Sequence, residues 1–569
     1  MTYNPKKWTR LAPSLLLALS AGSTLAQSVP DIGDALRQAQ PPAVPPVVEP
    51  VLPKVGGRPV EPPMAALLEG QAQIKVNEFV IVGNRVIDSE SLLAQVRPEQ
   101  GKHLSLAELE AIANRLTSYY RGKGYFVARA YVPAQDVTNG KVTLRIVEGN
   151  YGQLHLRNQS RVRDNIVQGM LDDIKGYDIV SLDTLERAIL IINDTPGVQV
   201  VRADVMPGEK VGTSDFAVDT VATAPYAGFV MLDNFGSRYT GKNRLSFNAD
   251  VNAPSGSGDR LSVSGLATDT TELLNGRIGY STLLAPNGLR GEVALSQTQY
   301  QLGDTYSALD AQGTAKGFDA TLTYPIRRIR AQTIETSLNL SYKDLFDEIR
   351  STGTRTPKTL TSVTAGLNLR DESGLLGFSG LTQASLSVTA GNLDIREATA
   401  AVNDAAGAQT QGQFIKLNAS LSRVNLLPMD FTLTASLKLQ QSLNNKNLDG
   451  SERMAVGGPS AVMAYPSGEL TGTNAALVRL ELARPLPEWK GLRSNWLVFA
   501  DWGQARQAKP LATDPRRDIS DIGLGWNVTY GRALLKAYVA HRLDGTAAVS
   551  EPTPKTKFLA QAGWVRSEE

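Results

Sequence analysis

From about Pro225 to its end the chain changes face at every second residue, and the composition of its second face limits the fold more than any other feature. In "RLSFNADVN" Leu245, Phe247, Ala249 and Val251 alternate with Arg244, Ser246, Asn248, Asp250 and Asn252. The same period recurs in "ETSLNLSYK", "SVTAGLNLR", "ASLSVTAG", "KLNASLSR", "FTLTASLKL" and "VRLEL", separated by turn-rich segments such as "NAPSGSGD" and "LAPNGL". A soluble sandwich or β-helix also alternates, but its apolar face must carry enough large residues to fill a core. Here one face is only modestly apolar and the other is persistently Ser, Thr, Asn, Arg, Lys and Asp. A closed barrel with lipid outside and water inside fits that pattern, because closure pairs every strand edge. At about ten residues per strand plus loops, the stretch accommodates about sixteen strands, wide enough for a channel. In the last segment, "TKFLAQAGWVRSEE", Phe558, Ala560, Ala562 and Trp564 share a face as in a closing strand, with "VRSEE" overhanging it.

The N-terminus explains how such a chain would reach a membrane. Lys6, Lys7 and Arg10 precede an apolar run over 11–21, and Thr24 and Ala26 are the small residues before a cleavage point, so 1–26 reads as a secretory signal peptide. That run is roughly half of the ~20 residues a membrane helix needs. Segment 27–40 contains a short helical candidate, "DIGDALRQAQ", with Ile32, Ala35 and Leu36 on one side. Segment 41–73 follows as a Pro-rich linker; nine of the residues 41–63 are proline, an extended tether that cannot join a core.

Between tether and barrel lie two units of one plan. Residues 74–149 read β-α-α-β-β: the strand "IKVNEFVIVGN", the helix "DSESLLAQV", a second helix with a Ser105/Glu108 capping box and Leu106, Leu109, Ile112, Ala113 and Leu116 at helical spacing, then two strands. Residues 150–222 repeat the order, with a helix ended by Pro196-Gly197. The barrel occupies 223–569.

Composition narrows the chemistry. Lys and Arg number 58 against 56 Asp and Glu, so no field argues for a nucleic-acid partner. Cysteine is absent and the three histidines are scattered, which disfavours thiol and zinc chemistry. "GPSAV" has Gly458 and Ser460 of a nucleophile elbow but Val462 in place of the second glycine. "GLGWNV" lacks the third glycine of a dinucleotide loop, and His541 is the barrel's lone histidine. No enzyme, catalytic residue, metal or cofactor is expected.

Two stretches stand apart. "VGGPSAVMAYPSGE", residues 456–469, has one charge, three glycines and two prolines between runs that read as membrane strands. In "NWLVFADWGQA" Trp496, Val498, Ala500 and Trp502 share one face, and Leu497, Phe499, Asp501 and Gly503 the other. Tryptophans suit the lipid boundary, so Asp501 is expected to point into the lumen.

The order of parts resembles the transporters of two-partner (type V) secretion, the hemolysin and filamentous-hemagglutinin secretion/activation family. "NDTPGVQV" (193–200) is similar to a turn of its second periplasmic unit, and residues 232–264 to its first barrel hairpin. Gly457, Gly458, Val462, Met463 and Tyr465 resemble its Gly-Gly-Pro and Val-Arg-Ala-Tyr segment; Phe499, Asp501 and Gly503 resemble its Phe-x-Asp-x-Gly strand. The resemblance implies α+β periplasmic POTRA repeats, then an all-β transmembrane antiparallel barrel of about sixteen strands. It further implies a lumen plugged by the N-terminal helix and by a loop folded inward around 450–475. The implied task is secretion across the bacterial outer membrane of an unfolded, β-rich exoprotein with an N-terminal secretion domain (adhesin- or hemolysin-like), recognised by the POTRA units at 74–222. The alternatives are a barrel-assembly factor or a passive porin-like channel; outer-membrane lipid and a monomeric or weakly dimeric state are expected as well.

In that family the loop's arginine reaches the inward aspartate, and the matching residue here is Met463. A thioether cannot pair with a carboxylate. Arg479 or Arg484 on the next strand could substitute, a wet lumen could keep Asp501 solvated, or this copy is altered or impaired. The expectation is a loop that stays inside, held mainly by Tyr465 and its glycine-rich packing.

Overall fold

The computed structural model describes residues 29–40, 73–210, 212–374, 379–510, 517–543 and 547–567. The signal peptide and all but the last residue of the Pro-rich linker lie outside the described residues.

Helix α1 (Ile32–Gln38) opens on a capping box: the Asp31 carboxylate accepts from the Gly33 and Asp34 N–H groups, and Asp34 accepts from that of Asp31. The first α+β unit contains β1 (Ile74–Lys75), β2 (Glu78–Val82), α2 (Ser89–Val96), β3 (His103–Leu104), α3 (Leu106–Gly122), β4 (Arg129–Tyr131) and β5 (Lys141–Val147). Its sheet has the order β2-β5-β4, with β2 and β5 parallel. The Ser105/Glu108 capping box opens α3, and hydrogen bonds from the Ser105 backbone N–H and hydroxyl hold the Glu108 carboxyl below the usual carboxylate range. Leu109, Ile112, Ala113 and Leu116 bury against Phe79, Val142, Leu144 and Ile146, whereas Leu106, at the first helical position, stays exposed.

The second unit contains β6 (Asn150–Gln159), α4 (Asp164–Asp172), α5 (Leu182–Asn193), β7 (Gln199–Pro207) and β8 (Thr213–Val221), in the sheet order β6-β8-β7. Its core does not stop at its own boundary: Ala253 and Leu283, from the chain beyond, pack into it.

That chain is the barrel. Its strands are β9 (Tyr226–Asp233), β10 (Arg244–Asn252), β11 (Arg260–Thr268), β12 (Leu273–Leu283), β13 (Arg290–Gln301), β14 (Ala311–Ile329), β15 (Gln332–Ile349), β16 (Thr354–Asp371) and β17 (Leu381–Ile395), then β18 (Gly412–Leu426) and β19 (Thr432–Ser442). The short ribbon β20 (Met454–Ala455) and β21 (Thr471–Gly472) intervenes before β22 (Asn474–Pro485), β23 (Leu492–Arg506), β24 (Arg517–Tyr530), β25 (Ala533–Arg542) and β26 (Thr556–Arg566). Omitting β20 and β21, sixteen antiparallel strands close when β26 pairs with β9, Trp564 opposite Val230. The closing strand runs on to Arg566, so the overhang begins two residues later than the alternation suggested.

The alternation resolves with its apolar side outward. Leu245, Phe247, Leu295 and Leu340 are exposed on the outer wall, while Arg244 and Ser246 are buried inside. Trp502, Trp526 and Trp564 also stand exposed outside, as lipid-boundary residues do. One helix departs from the period-two reading: α6 (Ala398–Ala406), capped by Glu397, sits in the long loop between β17 and β18. Short turns gather at one rim and long loops at the other.

The second α+β unit is fastened to the short-turn rim. Arg187 of α5 is buried and donates to the backbone carbonyls of Pro325 (2.8 Å), Ile326 (3.4 Å) and Asn287 (3.1 Å). Arg328, in β14, forms a two-pronged pair with Asp194 at 2.7 and 2.8 Å, the bidentate geometry of a strong ion pair. The two words "NDTPG" and "NAPSGSGD" meet here: a Cβ on Gly258 (φ +67°) would stand 2.4 Å from Thr195 Cγ2, and one on Gly197 2.5 Å from Ala253 Cβ. Those glycines let two turns approach closely.

Candidate functional site

Residues 450–473 leave the long-loop rim and fold into the barrel. Val456, Val462, Ala464 and Tyr465 have no exposed surface, and Met463 is 6% exposed. The segment closes on itself: Val462 N–H donates to Val456 C=O (2.9 Å), Gly458 N–H to Val462 C=O (3.1 Å) and Tyr465 N–H to Val462 C=O (3.2 Å). Gly458 has φ +117°, outside the range of a residue with a side chain. Its poverty in charge follows from its neighbours, because nearly every side chain of 456–465 faces protein rather than water.

Asp449, just before the loop, and Glu452 within it anchor its entrance across the lumen. Asp449 accepts from Lys358 (2.9 Å), and Glu452 from Lys343 (2.7 Å) and Lys416 (2.6 Å), so strands β15, β16 and β18 hold this end. The other end lies on β22–β25. Gly503 marks the contact, since a Cβ there would meet Val456 Cβ at 2.8 Å and Val462 Cγ2 at 3.3 Å. The glycine of the wall motif is thus the space into which the loop fits.

Four charged residues lie in register beneath Met463, Ala464 and Tyr465. Arg479 pairs across strands with Asp501, Asp501 with Asp521, and Asp521 with Arg542. Arg479 Nε stands 3.6 Å from Asp501 Oδ1, its guanidinium 4.7 Å from the centre of the Phe499 ring, and its Nη2 3.7 Å from Met463 Sδ. Of the two candidate substitutes, Arg479 is the one beside the aspartate; Arg484 instead stacks on Phe431 at 5.2 Å. Asp501 and Asp521 are 3% and 0% exposed. Both Asp501 oxygens and Asp521 Oδ1 have no hydrogen-bond partner among the described residues.

The loop is held through its backbone. Ala464 N–H donates to Asp521 Oδ2 (2.6 Å), and Arg542 Nε donates to Ala464 C=O (3.2 Å). The Tyr465 ring lies 4.6 Å from the Arg542 guanidinium and 5.7 Å from that of Arg517, a double cation–π contact. Asp521, Arg542 and Arg517 escaped the sequence reading. Asp521 carried a signal, being a charged residue in phase with the inward glycines Gly523 and Gly525.

Outside this contact a chain of contacts crosses the mouth of the barrel from the inward loop to helix α1. Glu469, 1% exposed, pairs with Arg517 and accepts from the N–H groups of Val549 (3.0 Å) and Ser550 (2.8 Å) in the β25–β26 loop. Glu551 in that loop accepts from Ser237 Oγ (3.2 Å) in the β9–β10 loop, whose Thr240 donates to Gln38 of α1 (2.8 Å). Helix α1 itself sits inside, with Ile32 N–H on Asp347 (2.9 Å) and Arg37 on the Gly450 carbonyl. Glu469→Gln removes the charge by which the inward loop holds both Arg517 of β24 and the β25–β26 loop; hydrogen bonds to charged groups contribute about 1.5 to 3 kcal/mol each. Planar-bilayer recordings of the full-length variant are expected to show an open fraction roughly tenfold higher or more.

Comparison with known proteins places this architecture. The model of the family "Haemolysin secretion/activation protein ShlB/FhaC/HecB" matches residues 212–528, over half of the chain, and that of the ShlB-type POTRA domain matches residues 74–149. The chain belongs to this family. A heme/hemopexin transporter protein, HuxB of Haemophilus influenzae (strain 86-028NP), is 28% identical over 468 residues, covering 81% of this chain and 82% of that protein. The outer membrane transporter CdiB of Dickeya dadantii is 24% identical, covering 72% and 71%. Among solved structures, CdiB from Escherichia coli aligns with a TM-score of 0.71 at 19% identity, covering 94% of this chain and 95% of that one. As a member of the family the chain is an outer-membrane barrel with its POTRA units in the periplasm; the short-turn rim is periplasmic and the long-loop rim faces outward.

Proposed function

We propose that this transporter captures an unfolded exoprotein in the periplasm through its two α+β units and passes it outward through the barrel. The observation that carries this reading is the arrangement along one axis: the second unit bolted beside the periplasmic mouth, and a helix and a loop filling the lumen behind it. A passive channel has no use for a fastened periplasmic arm. Recognition would use the open sheet edges, where an extended segment adds a strand by main-chain hydrogen bonds. Edge strand β7 offers exposed Val201 and Met206 beside its edge. The inward loop and α1 must yield for a chain to pass, and folding of the exoprotein outside would pull it through. In this reading Gly457, Gly458, Val462, Met463 and Tyr465 form the moving element, and Phe499, Asp501 and Gly503 the wall it leaves.

The test is deletion of the gene followed by inspection of the culture supernatant. Loss of one large protein, restored by the full chain and not by a chain lacking residues 74–222, is the expected result. An unchanged supernatant with a general loss of outer-membrane barrels would instead identify an assembly factor.

A further inference from the structure

The recess that holds Ala464 and Tyr465 has the chemistry of a peptide-binding site. Asp521 and Arg542 take the N–H and the C=O of one residue, which is what a neighbouring β-strand does for its partner. Nothing in that contact reads a side chain, and Ala464 shows only that the residue is small. The next residue is read by its ring, between the guanidinium groups of Arg542 and Arg517. Lys557 Nζ adds a third polar hold on the backbone, 3.4 Å from the Tyr465 carbonyl.

The present occupant does not exhaust the recess. Both oxygens of Asp501 and Oδ1 of Asp521, on side chains with at most 3% exposure, have no donor among the described residues. Arg479 approaches Asp501 only to 3.6 Å, and Arg542, the register partner of Asp521, gives its donors to Ala464 and Thr553. The two carboxyl groups lie side by side in register with an arginine on either side, and the loop's hydrogen bond to Asp521 Oδ2 leaves Oδ1 and the neighbouring Asp501 facing the same recess. A peptide backbone supplies N–H donors at every residue.

We infer that this recess is a subsite of the translocation path for an extended polypeptide, taking a small residue by its backbone and a following aromatic ring by two arginines. The inward loop occupies it as a tethered stand-in and exchanges with the chain in transit. The inference rests on the translocation reading for the identity of its ligand, but the recess can be tested without the exoprotein.

The experiment uses the full-length protein carrying Tyr465→Ala in planar bilayers, which removes the loop's ring and leaves the wall intact. The probe is the octapeptide Ala-Val-Met-Ala-Tyr-Pro-Ser-Gly, the sequence of residues 461–468, compared with the same peptide bearing alanine for tyrosine. It is supplied at millimolar concentration, the scale at which a tether presents its own segment. The tyrosine peptide is expected to block the open channel with dwell times about tenfold longer, in keeping with desolvated cation–π contacts. Adding Arg542→Ala to the same channel is expected to erase the difference, with barrel folding checked by heat-modifiable migration. Equal dwell times for the two peptides, a difference that survives Arg542→Ala, or a Tyr465→Ala channel that stays shut would each overturn the inference. A peptide effect together with an unchanged supernatant in the deletion strain would leave the recess standing and remove the transport reading; the reverse pair of results would remove the recess alone.

Discussion

Replacing Met463 by arginine is expected to damage secretion, and replacing Arg479 by methionine in the same chain is expected to restore it. The resemblance alone suggests the opposite for the single change, because a loop arginine would then face an aspartate that lacks a partner. The register shows why that expectation fails. Asp501 already has Arg479 beside it, at 3.6 Å and over the face of Phe499, and the sulfur of Met463 sits 3.7 Å from the same guanidinium. Arg479 is itself shared between two carboxylates, with Asp501 at 3.6 Å and Glu481 at 3.7 Å from its Nε. A second guanidinium at position 463, where the native side chain is 6% exposed, would be set directly against that of Arg479, whose Nη2 lies 3.7 Å from the Met463 sulfur. An unpaired buried charge costs on the order of 3 to 5 kcal/mol, so the loop would leave the wall and the channel would stand open more than a hundredfold more often. The double change moves one guanidinium from strand to loop and keeps both the charge and nearly the volume. Secretion of the double variant within a few-fold of the native protein, with both single variants at least tenfold lower, is the expected pattern. Additive losses in the double variant would show that the two positions do not share Asp501.

Parts of this site were legible in the sequence and parts could not be. The barrel and the inward side of Phe499, Asp501 and Gly503 follow from period two, because a strand has only two faces and a charged residue among tryptophans chooses its face by solvation. The sparse charge of 456–469 likewise announces burial. Which residues meet Asp501 is a different kind of information. It depends on register across β22 to β25, set by turn lengths and shear rather than by any local pattern, so Arg479 could be named as one of two candidates while Asp521 and Arg542 could not be found at all. Helix α6 was lost for a related reason: nine residues in a long loop, none of them buried, show no apolar stripe to detect. The two α+β units were readable because each fills a core of its own, with α3 burying Leu109, Ile112 and Leu116 at the expected spacing. Their junction with the barrel was not, since Arg187 binds carbonyls, which every residue has.

That junction carries the last expectation. Arg187→Ala should abolish most secretion while leaving the barrel folded. The side chain is 7% exposed and holds three carbonyls, that of Asn287 in the β12–β13 turn and those of Pro325 and Ile326 at the bulge of β14, and its guanidinium stands 5.9 Å from the Tyr324 ring. Alanine would leave those carbonyls without their donor at a joint where two turns already touch through Gly197 and Gly258, a loss on the order of 3 to 5 kcal/mol. The barrel's own strand ladders do not pass through Arg187, so heat-modifiable migration should be unchanged and protease should release the POTRA arm from intact barrels. Secretion is expected to fall at least tenfold. Arg187→Lys keeps the charge, but a single ammonium cannot reproduce a planar fork that reaches both a turn and the β14 bulge, so recovery should be partial. Arg328→Ala is the milder comparison, because its partner Asp194 remains 45% exposed and water can replace the pair. If Arg187→Ala frees the arm and secretion nevertheless stays at the native level, the arm acts only as a tethered bait. If the two fall together, the periplasmic mouth works as one rigid piece with the domain that feeds it.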